Sequence, residues 1–248
     1  MAAPLYERIG RDYGRTRGAD PRIQQAIEPA LAGAASIVNV GAGAGAYEPA
    51  GRELIAVEPS AQMRAQRPAD AAPCLAACAE SLPLADDSVD VAMALYTDFH
   101  WRDRRRGIAE MLRVSRRGVV ILTVDGDVAA RFWLTRDYLP SGRDLFAPLR
   151  AVTSLLPGPP VVTPVPVPHD CRDGFVHAFW RRPAALLDPD VHRGMAMFAR
   201  APEAERTTGL SHLGADIADG AWERRNPELL GRESLDLGHR LVVWRPDG

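Results

Sequence analysis

The stretch SIVNVGAGAGAYEP, Ser36 to Pro49, opens with the apolar run Ile37-Val38-Asn39-Val40. It then breaks into glycines at alternate positions, Gly41, Gly43 and Gly45. So short an apolar run, ended by glycine, reads as a buried strand. Glycine permits backbone turns that side chains forbid, and it lets a ligand touch main-chain N–H groups. In an open α/β sheet, ligands bind beyond the carboxyl ends of the strands, where the strand order switches. The loop therefore predicts a site for a nucleotide-like ligand at the end of a first strand.

The same grammar repeats downstream. LIAVE (Leu54–Glu58) is a second buried strand, after which Pro59 and Ser60 open a helix through about Arg67. Residues 74–78 give a short third strand, VDVAMALY (89–96) a fourth behind the Asp86-Asp87-Ser88 turn, and VVILTV (119–124) a fifth. Residues 103–115 carry Ile108, Met111 and Leu112 on one side and arginines on the other, as a surface helix does. Ahead of the first strand, residues 20–32 predict a helix with Asp20 as N-cap and Pro21 at its first position.

Strands alternating with helices of this length indicate a parallel sheet covered on both faces. Beyond Val124 the pattern changes. Residues 128–157 read as a helical insertion, GPPVVTPVPVP (158–168) as a proline-interrupted strand, and LVVW (241–244) as a closing strand. The expected fold is α/β: a doubly wound, Rossmann-like, seven-stranded, mostly parallel sheet with a helical cap or insertion. The expected organisation is an N-terminal helical lid segment over 1–33 and a cofactor-binding core over 34–168. A helical cap over 169–239 and a closing strand over 240–248 complete it.

Composition narrows the function. The 248 residues are 46% hydrophobic and 25% charged, ordinary for one globular domain. A formal net charge of −2 gives no general attraction to nucleic acid or to an anionic membrane. No apolar run approaches the roughly 20 residues of a membrane helix. The first residues, MAAPLYERIGRDYGRTRG, lack an apolar secretory core, so a cytoplasmic location is expected. Cys74, Cys78 and Cys171 have no framework spacing; Cys74 and Cys78, in the apolar stretch PCLAACAE, read as small core residues, and no metal site is expected. All thirty basic residues are arginine, which excludes lysine Schiff bases and a P-loop lysine.

The glycine pattern is G-x-G-x-G, with alanine at position 46, and departs from the dinucleotide G-x-G-x-x-G. Glu58, 17 residues after Gly41, can accept hydrogen bonds from a ribose diol in NAD or in an adenosyl cofactor. The acidic loop Ala79-Glu80-Ser81-Leu82-Pro83 after the third strand favours the adenosyl cofactor.

Together VNVGAGAGAYE, AVEPSAQM, AESLPLADDSVDVAMA, ALYTDFHW and IAEMLRVSRRGVVILT resemble the class I S-adenosylmethionine-dependent methyltransferases, over residues 34 to 124. The resemblance implies that Gly41, Ala42 and Gly43 face the methionine part of S-adenosyl-L-methionine. It implies that Glu58 binds both ribose hydroxyls, with Pro59 and Met63 beside the adenine and Ala79 and Glu80 at its edge. Leu95 and Tyr96 then line the sulfonium and methyl side, while ahead of the sheet Tyr13 approaches the sulfonium or the carboxylate and Arg17 pairs with the carboxylate. In two places the chain departs from the family pattern: Asn39 replaces the first-strand acid, and Arg116-Arg117-Gly118 replaces Pro-Gly-Gly.

Methyl transfer needs alignment and exclusion of water, and a base only where the acceptor loses a proton. The candidate bases are His100, just past the fourth strand, and His169, just past the proline-rich strand. His177 and His239 fall in stretches that read as helical or surface. The leading expectation is methylation of a small molecule, oxygen slightly preferred, with no nucleic-acid or membrane partner. Methylation of RNA or protein, and a cofactor-binding protein that does not methylate, stay open as alternatives.

Overall fold

The computed structural model describes residues 17–246. Helix α1 (Pro21–Ile27) begins where Asp20 Oδ1 accepts from Arg22 N at 3.0 Å, with Pro21 in the position that needs no intrahelical N–H. Ile23 and Ile27, one turn apart on α1, are buried against the sheet. Strands β1 (Ser36–Val40), β2 (Glu53–Val57), β3 (Cys74–Leu75), β4 (Val91–Leu95) and β5 (Val119–Val124) are mutually parallel. Helix α2 (Ala61–Arg64) follows β2, and α3 (Arg104–Val114) follows β4. Strand β6 (Val161–Pro164) lies at one sheet edge. Strands β7 (Val167–Pro168) and β8 (Ser234–Leu235) form a separate two-stranded sheet, and β9 (His239–Trp244) closes the main one.

The main sheet has seven strands in the order β3-β2-β1-β4-β5-β9-β6, with β9 antiparallel to both neighbours. The chain moves outward from β1 to β3 and returns to β4 on the other side of β1, so the strand order switches between β1 and β4. That is the position where such sheets hold ligands. Alternation sends Ile37, Val91, Met93 and Val120 to the α1 face, and Val38, Val40, Ala92 and Ile121 to the other, where Ile108, Met111 and Val114 of α3 cover them. Both parities are buried, which is why the strands read as unbroken apolar runs.

The Arg116-Arg117-Gly118 departure has a structural reason. Arg116 pairs with Asp90 at 2.9 Å, and Asp90 Oδ2 accepts from Ala35 N at 2.7 Å and Ser36 N at 3.2 Å, which fixes the start of β1. Arg117 donates to the Gly33 carbonyl. Gly118 has φ +114, and a Cβ there would lie 2.1 Å from the Trp244 carbonyl oxygen.

Several expected elements are shorter than their patterns. The third strand is only Cys74–Leu75, because the chain turns at once, with Ala77 N on the Leu75 carbonyl at 3.1 Å. The proline-rich strand divides. Val165 N still reaches the His239 carbonyl at 2.9 Å, but Pro166 has no N–H to continue the ladder, and β7 pairs with β8 instead. The insertion expected as a helix over 128–157 is a series of single turns, interrupted at Pro140 and Pro148.

Between β7 and β8 the chain forms short helical turns, then α4 (Ala196–Arg200) and the longer α5 (Glu203–Ala218). Trp133 Nε1 donates to the Trp180 carbonyl at 2.8 Å, and Trp180 Nε1 to the Val167 carbonyl at 3.0 Å. These segments therefore share the core of the α1 face.

Asp20 is fully buried and also accepts from Arg172 N at 3.0 Å. Burial opposes its ionisation, but the Arg22 guanidinium and the two backbone N–H groups win and hold the carboxyl far below its usual range. Asp20→Ala should cost about 2 kcal/mol at pH 7, combining a lost cap with an orphaned buried donor. A depressed carboxyl stabilises above its unfolded pKa, and the effect is lost as pH falls. The gap between wild type and variant in urea melts should therefore narrow below about pH 4.

Candidate active site

Beyond Val40 the chain is pinned across the end of β2. The Val57 carbonyl accepts from both Gly41 N at 2.8 Å and Ala42 N at 3.0 Å. Gly41 sits at φ +72, and a Cβ there would lie 2.0 Å from Thr97 Oγ1, so the loop is pressed between the ends of β2 and β4. Gly43 N then donates to Glu58 Oε2 at 2.9 Å, while Ser60 N donates to Oε1 at 2.8 Å. Burial raises the Glu58 pKa against the pull of these two N–H groups. Each carboxylate oxygen keeps acceptor capacity beyond its one N–H bond. A buried carboxylate oriented in this way beside a cavity fits a vicinal diol.

Asn39 donates from Nδ2 to Glu48 Oε1 at 3.0 Å, and Arg67 clamps both Glu48 oxygens at 2.9 Å. An aspartate at position 39 would repel Glu48; the amide ties the glycine loop to the strand instead. In this chain the carboxylate has moved from the strand into the loop.

A cavity of about 320 Å³ opens at this edge. Arg17, Gly41, Ala42, Gly43, Glu58, Pro59, Met63, Ala79, Glu80, Leu95 and Tyr96 all line it, as does His100. The structure thus brings together every cofactor-site candidate except Tyr13, which lies outside the described residues. Glu80 Oε1 accepts from Arg102 N at 2.8 Å and Asp103 N at 3.2 Å, so it also fixes the start of α3. Tyr47, Thr97, Trp101 and Arg200 also line it; the first three lie within the quoted motifs without having been singled out, and Arg200 lies in none.

A second, inner chamber of about 60 Å³ shares Arg17, Tyr96 and His100 with the first. Its other walls are mostly apolar, among them Phe99, Phe146, Phe175, Met195 and Met197. Arg17 is ion-paired with buried Asp173, which also accepts from Tyr47 Oη at 2.8 Å and Gly174 N at 2.7 Å. His100 ends a single helical turn after β4, with its ring edge-on to Phe99. Burial, with Arg200 and Arg17 nearby, lowers its pKa to about 3.

His169 is not brought to either cavity. It sits by the small sheet, its Nδ1 3.3 Å from the Glu233 carbonyl, because the chain leaves the main sheet at Pro166 before reaching it. Two other histidines take the place expected of it. Tyr96, at φ +56 just beyond β4, has its hydroxyl 2.7 Å from His239 Nδ1, and His239 Nε2 is 2.9 Å from His177 Nδ1. Both imidazoles are buried and line the inner chamber. Burial lowers the His177 pKa to about 3 and holds His239 well below its ordinary value. The sequence signals only their burial: His239 stands two residues before the apolar run LVVW, and His177 is embedded in GFVHAFW.

Residues 38–123 match the family model described as Methyltransferase domain. A crystal structure from Anabaena variabilis ATCC 29413, named as a methyltransferase from an antibiotic biosynthesis pathway, is 34% identical. The match covers 92% of this chain and 98% of that one, at TM-score 0.85. YcgJ from Bacillus subtilis shares the fold at 16% identity and TM-score 0.52, over 90% of this chain and 96% of that one. The [4+2]-cyclase SpnF shares it at 16% identity and TM-score 0.56, over 97% and 93%. No curated protein matches the chain.

Histidines buried neutral have folded pKa values below their unfolded value near 6.5. The stability they permit is present above that value and is lost as pH falls through it, because only the unfolded chain takes up protons. His100, His177 and His239 together should contribute a slope of about 4 kcal/mol per pH unit near pH 5. Denaturant melts between pH 7 and pH 4.5 should show this slope, and His177→Phe should remove about a third of it.

Proposed function

The chain belongs to the class I S-adenosylmethionine-dependent methyltransferases, and from that premise we propose that it methylates a small organic acceptor, preferentially at oxygen. The observation that carries this reading is the second chamber: small, mostly apolar, and joined to the larger cavity through Arg17, Tyr96 and His100. Such a chamber suits part of a small molecule better than a folded RNA or a protein surface. Of the seven arginines between 102 and 117, four are committed within the fold: Arg104 pairs with Asp98, Arg113 with Asp86 and Glu110, Arg116 with Asp90, and Arg117 donates to the Gly33 carbonyl. That supports an acceptor other than nucleic acid. The Anabaena relative's place in antibiotic biosynthesis supports an acceptor from specialised metabolism. Among the described residues no helix is long and apolar enough to cross a membrane, and the three cysteines are free thiols, which supports a reducing, cytoplasmic setting.

In this reading Glu58 holds the ribose diol through its two pre-oriented oxygens, and the Gly41–Gly43 backbone meets the methionine part. Pro59, Met63, Ala79 and Glu80 enclose the adenine, and Leu95 and Tyr96 face the sulfonium. When bound, S-adenosylmethionine supplies a methyl group on a positively charged sulfur with a neutral leaving group. The chain's own work is to orient the acceptor at the junction of the two cavities and to keep water out. His100, neutral at physiological pH and placed at that junction, is the candidate to orient the acceptor and to take its proton as the methyl group is transferred.

Thermal melts with S-adenosylmethionine, S-adenosylhomocysteine and NAD test the cofactor assignment. At about 100 times its Kd a ligand adds roughly 2.7 kcal/mol, on the order of 5–10 °C for a chain this size. Both sulfur cofactors should give that shift, NAD none, and Glu58→Ala should reduce it. Mass spectrometry of products from a panel of phenols, alcohols and amines should show methyl ethers first. His100→Ala should lower kcat on such an acceptor by roughly a hundredfold. Transfer to RNA or protein but to no small molecule would overturn the reading.

A further inference from the structure

Tyr96, His239 and His177 form a buried file of three rings whose protons can be placed. The Tyr96 hydroxyl has one hydrogen-bond partner among the described residues, His239 Nδ1 at 2.7 Å. A neutral phenol is a strong donor, and burial keeps Tyr96 protonated. Tyr96 therefore donates to His239 Nδ1. A neutral His239 must then carry its proton on Nε2, where it donates to His177 Nδ1 at 2.9 Å. A neutral His177 must in turn carry its proton on its own Nε2. The opposite polarity would turn the Tyr96 proton away from its one partner. His177 Nε2 is buried and has no hydrogen-bond partner among the described residues, although His177 is a wall of the inner chamber. Its ring is held between Phe132, edge-on with centroids 5.1 Å apart, and Phe146 at 5.8 Å.

The same chamber restricts the charge of its ligand. Its one cationic side chain among the described residues, Arg17, is paired with Asp173, and Asp173 is further held by Tyr47 and Gly174 N. The imidazoles are neutral. A carboxylate or an ammonium group would find no counter-charge there that is not already paired. The remaining walls are apolar: phenyl rings, thioethers, aliphatic side chains and two glycines. At about 60 Å³ the chamber is smaller than the roughly 150 Å³ that holds a benzene ring. Met195 and Met197, unbranched and adaptable, are the walls able to yield to a larger body.

We propose that His177 Nε2–H is the polar anchor of the acceptor chamber, that it binds a carbonyl-type oxygen of an uncharged, mainly apolar acceptor, and that Tyr96 fixes its tautomer through His239. The acceptor thus carries two features: a nucleophilic group that reaches the Tyr96–His100 junction, and a hydrogen-bond-accepting oxygen that goes deeper. The identity of the anchored molecule as a methyl acceptor rests on the methyltransfer reading. The tautomer does not.

Two measurements on the full chain test this. Long-range ¹H–¹⁵N correlation spectra of ¹⁵N-labelled protein report which nitrogen of each histidine carries the proton. His177 and His239 should both be Nε2–H, and Tyr96→Phe should convert them to a mixture. The protein saturated with S-adenosylhomocysteine is then titrated with 3-hydroxyacetophenone and with 3-ethylphenol, which differ in a carbonyl against a methylene. The ketone should move the His177 Nε2 resonance and bind about tenfold more tightly. His177→Phe should bring the two compounds within about twofold, and His177→Gln, which keeps an N–H, should restore part of the preference. A bare Nε2 on His177, or an Nε2 resonance that the ketone leaves unmoved at millimolar concentration, overturns the proposal. Failure of S-adenosylhomocysteine to bind counts against the methyltransfer reading instead, and the spectrum of the free protein still decides the tautomer.

Discussion

One carbonyl oxygen, that of Val57, receives two hydrogen bonds from successive residues of the glycine loop, and the geometry of the site descends from it. To reach that oxygen the chain must turn sharply out of β1 and pass within van der Waals contact of Thr97, which only a residue without a Cβ can do at position 41. The turn delivers Gly43 N to Glu58, and Glu58 in turn receives Ser60 N, which opens α2. The ends of three strands and the start of a helix are thereby fixed relative to one carboxylate before any ligand arrives. This is preorganisation in the simple sense: the ordering cost is met in folding rather than in binding.

The second feature is how polarity is carried into an apolar interior. Charges near the site are committed in pairs: Arg17 with Asp173, Arg67 with Glu48, Arg104 with Asp98. What remains facing the inner chamber is neutral: a phenol and three imidazoles held uncharged by burial. A neutral, hydrogen-bonded file costs far less to bury than an isolated ion, and it keeps its direction because each ring has only one proton to place. The substitution of Asn39 for an acid follows the same logic. With Glu48 already in the loop and clamped by Arg67, a second carboxylate on the strand would be repelled, whereas an amide donates.

Much of this was legible in the residues. The loop SIVNVGAGAGAYEP, the acid Glu58 and the order of the following segments are local patterns, and each of the described cofactor-site candidates lines one cavity. The illegible part is equally specific. His169 looked placed by its position after a strand, but Pro166 breaks the ladder two residues after β6 and the chain departs into a second sheet. His177 and His239, 62 residues apart, looked unremarkable until β9 and a helical turn of the region before it brought them within 2.9 Å.

By itself the sequence determined what depends on near neighbours along the chain: apolar runs long enough to be buried strands, glycines where the backbone must turn, a carboxylate at a strand end, caps at helix starts. These are set by backbone sterics and by hydrogen bonds over a few residues, so they are written locally. Only the tertiary structure decided which imidazoles meet Tyr96, which charges are already paired, and that a second, mostly apolar chamber adjoins the first cavity. Those outcomes depend on contacts between residues far apart in the chain, Arg17 with Asp173 and Tyr96 with His239 among them. No local pattern can encode such a pairing, because its strength comes from the burial that the whole fold creates.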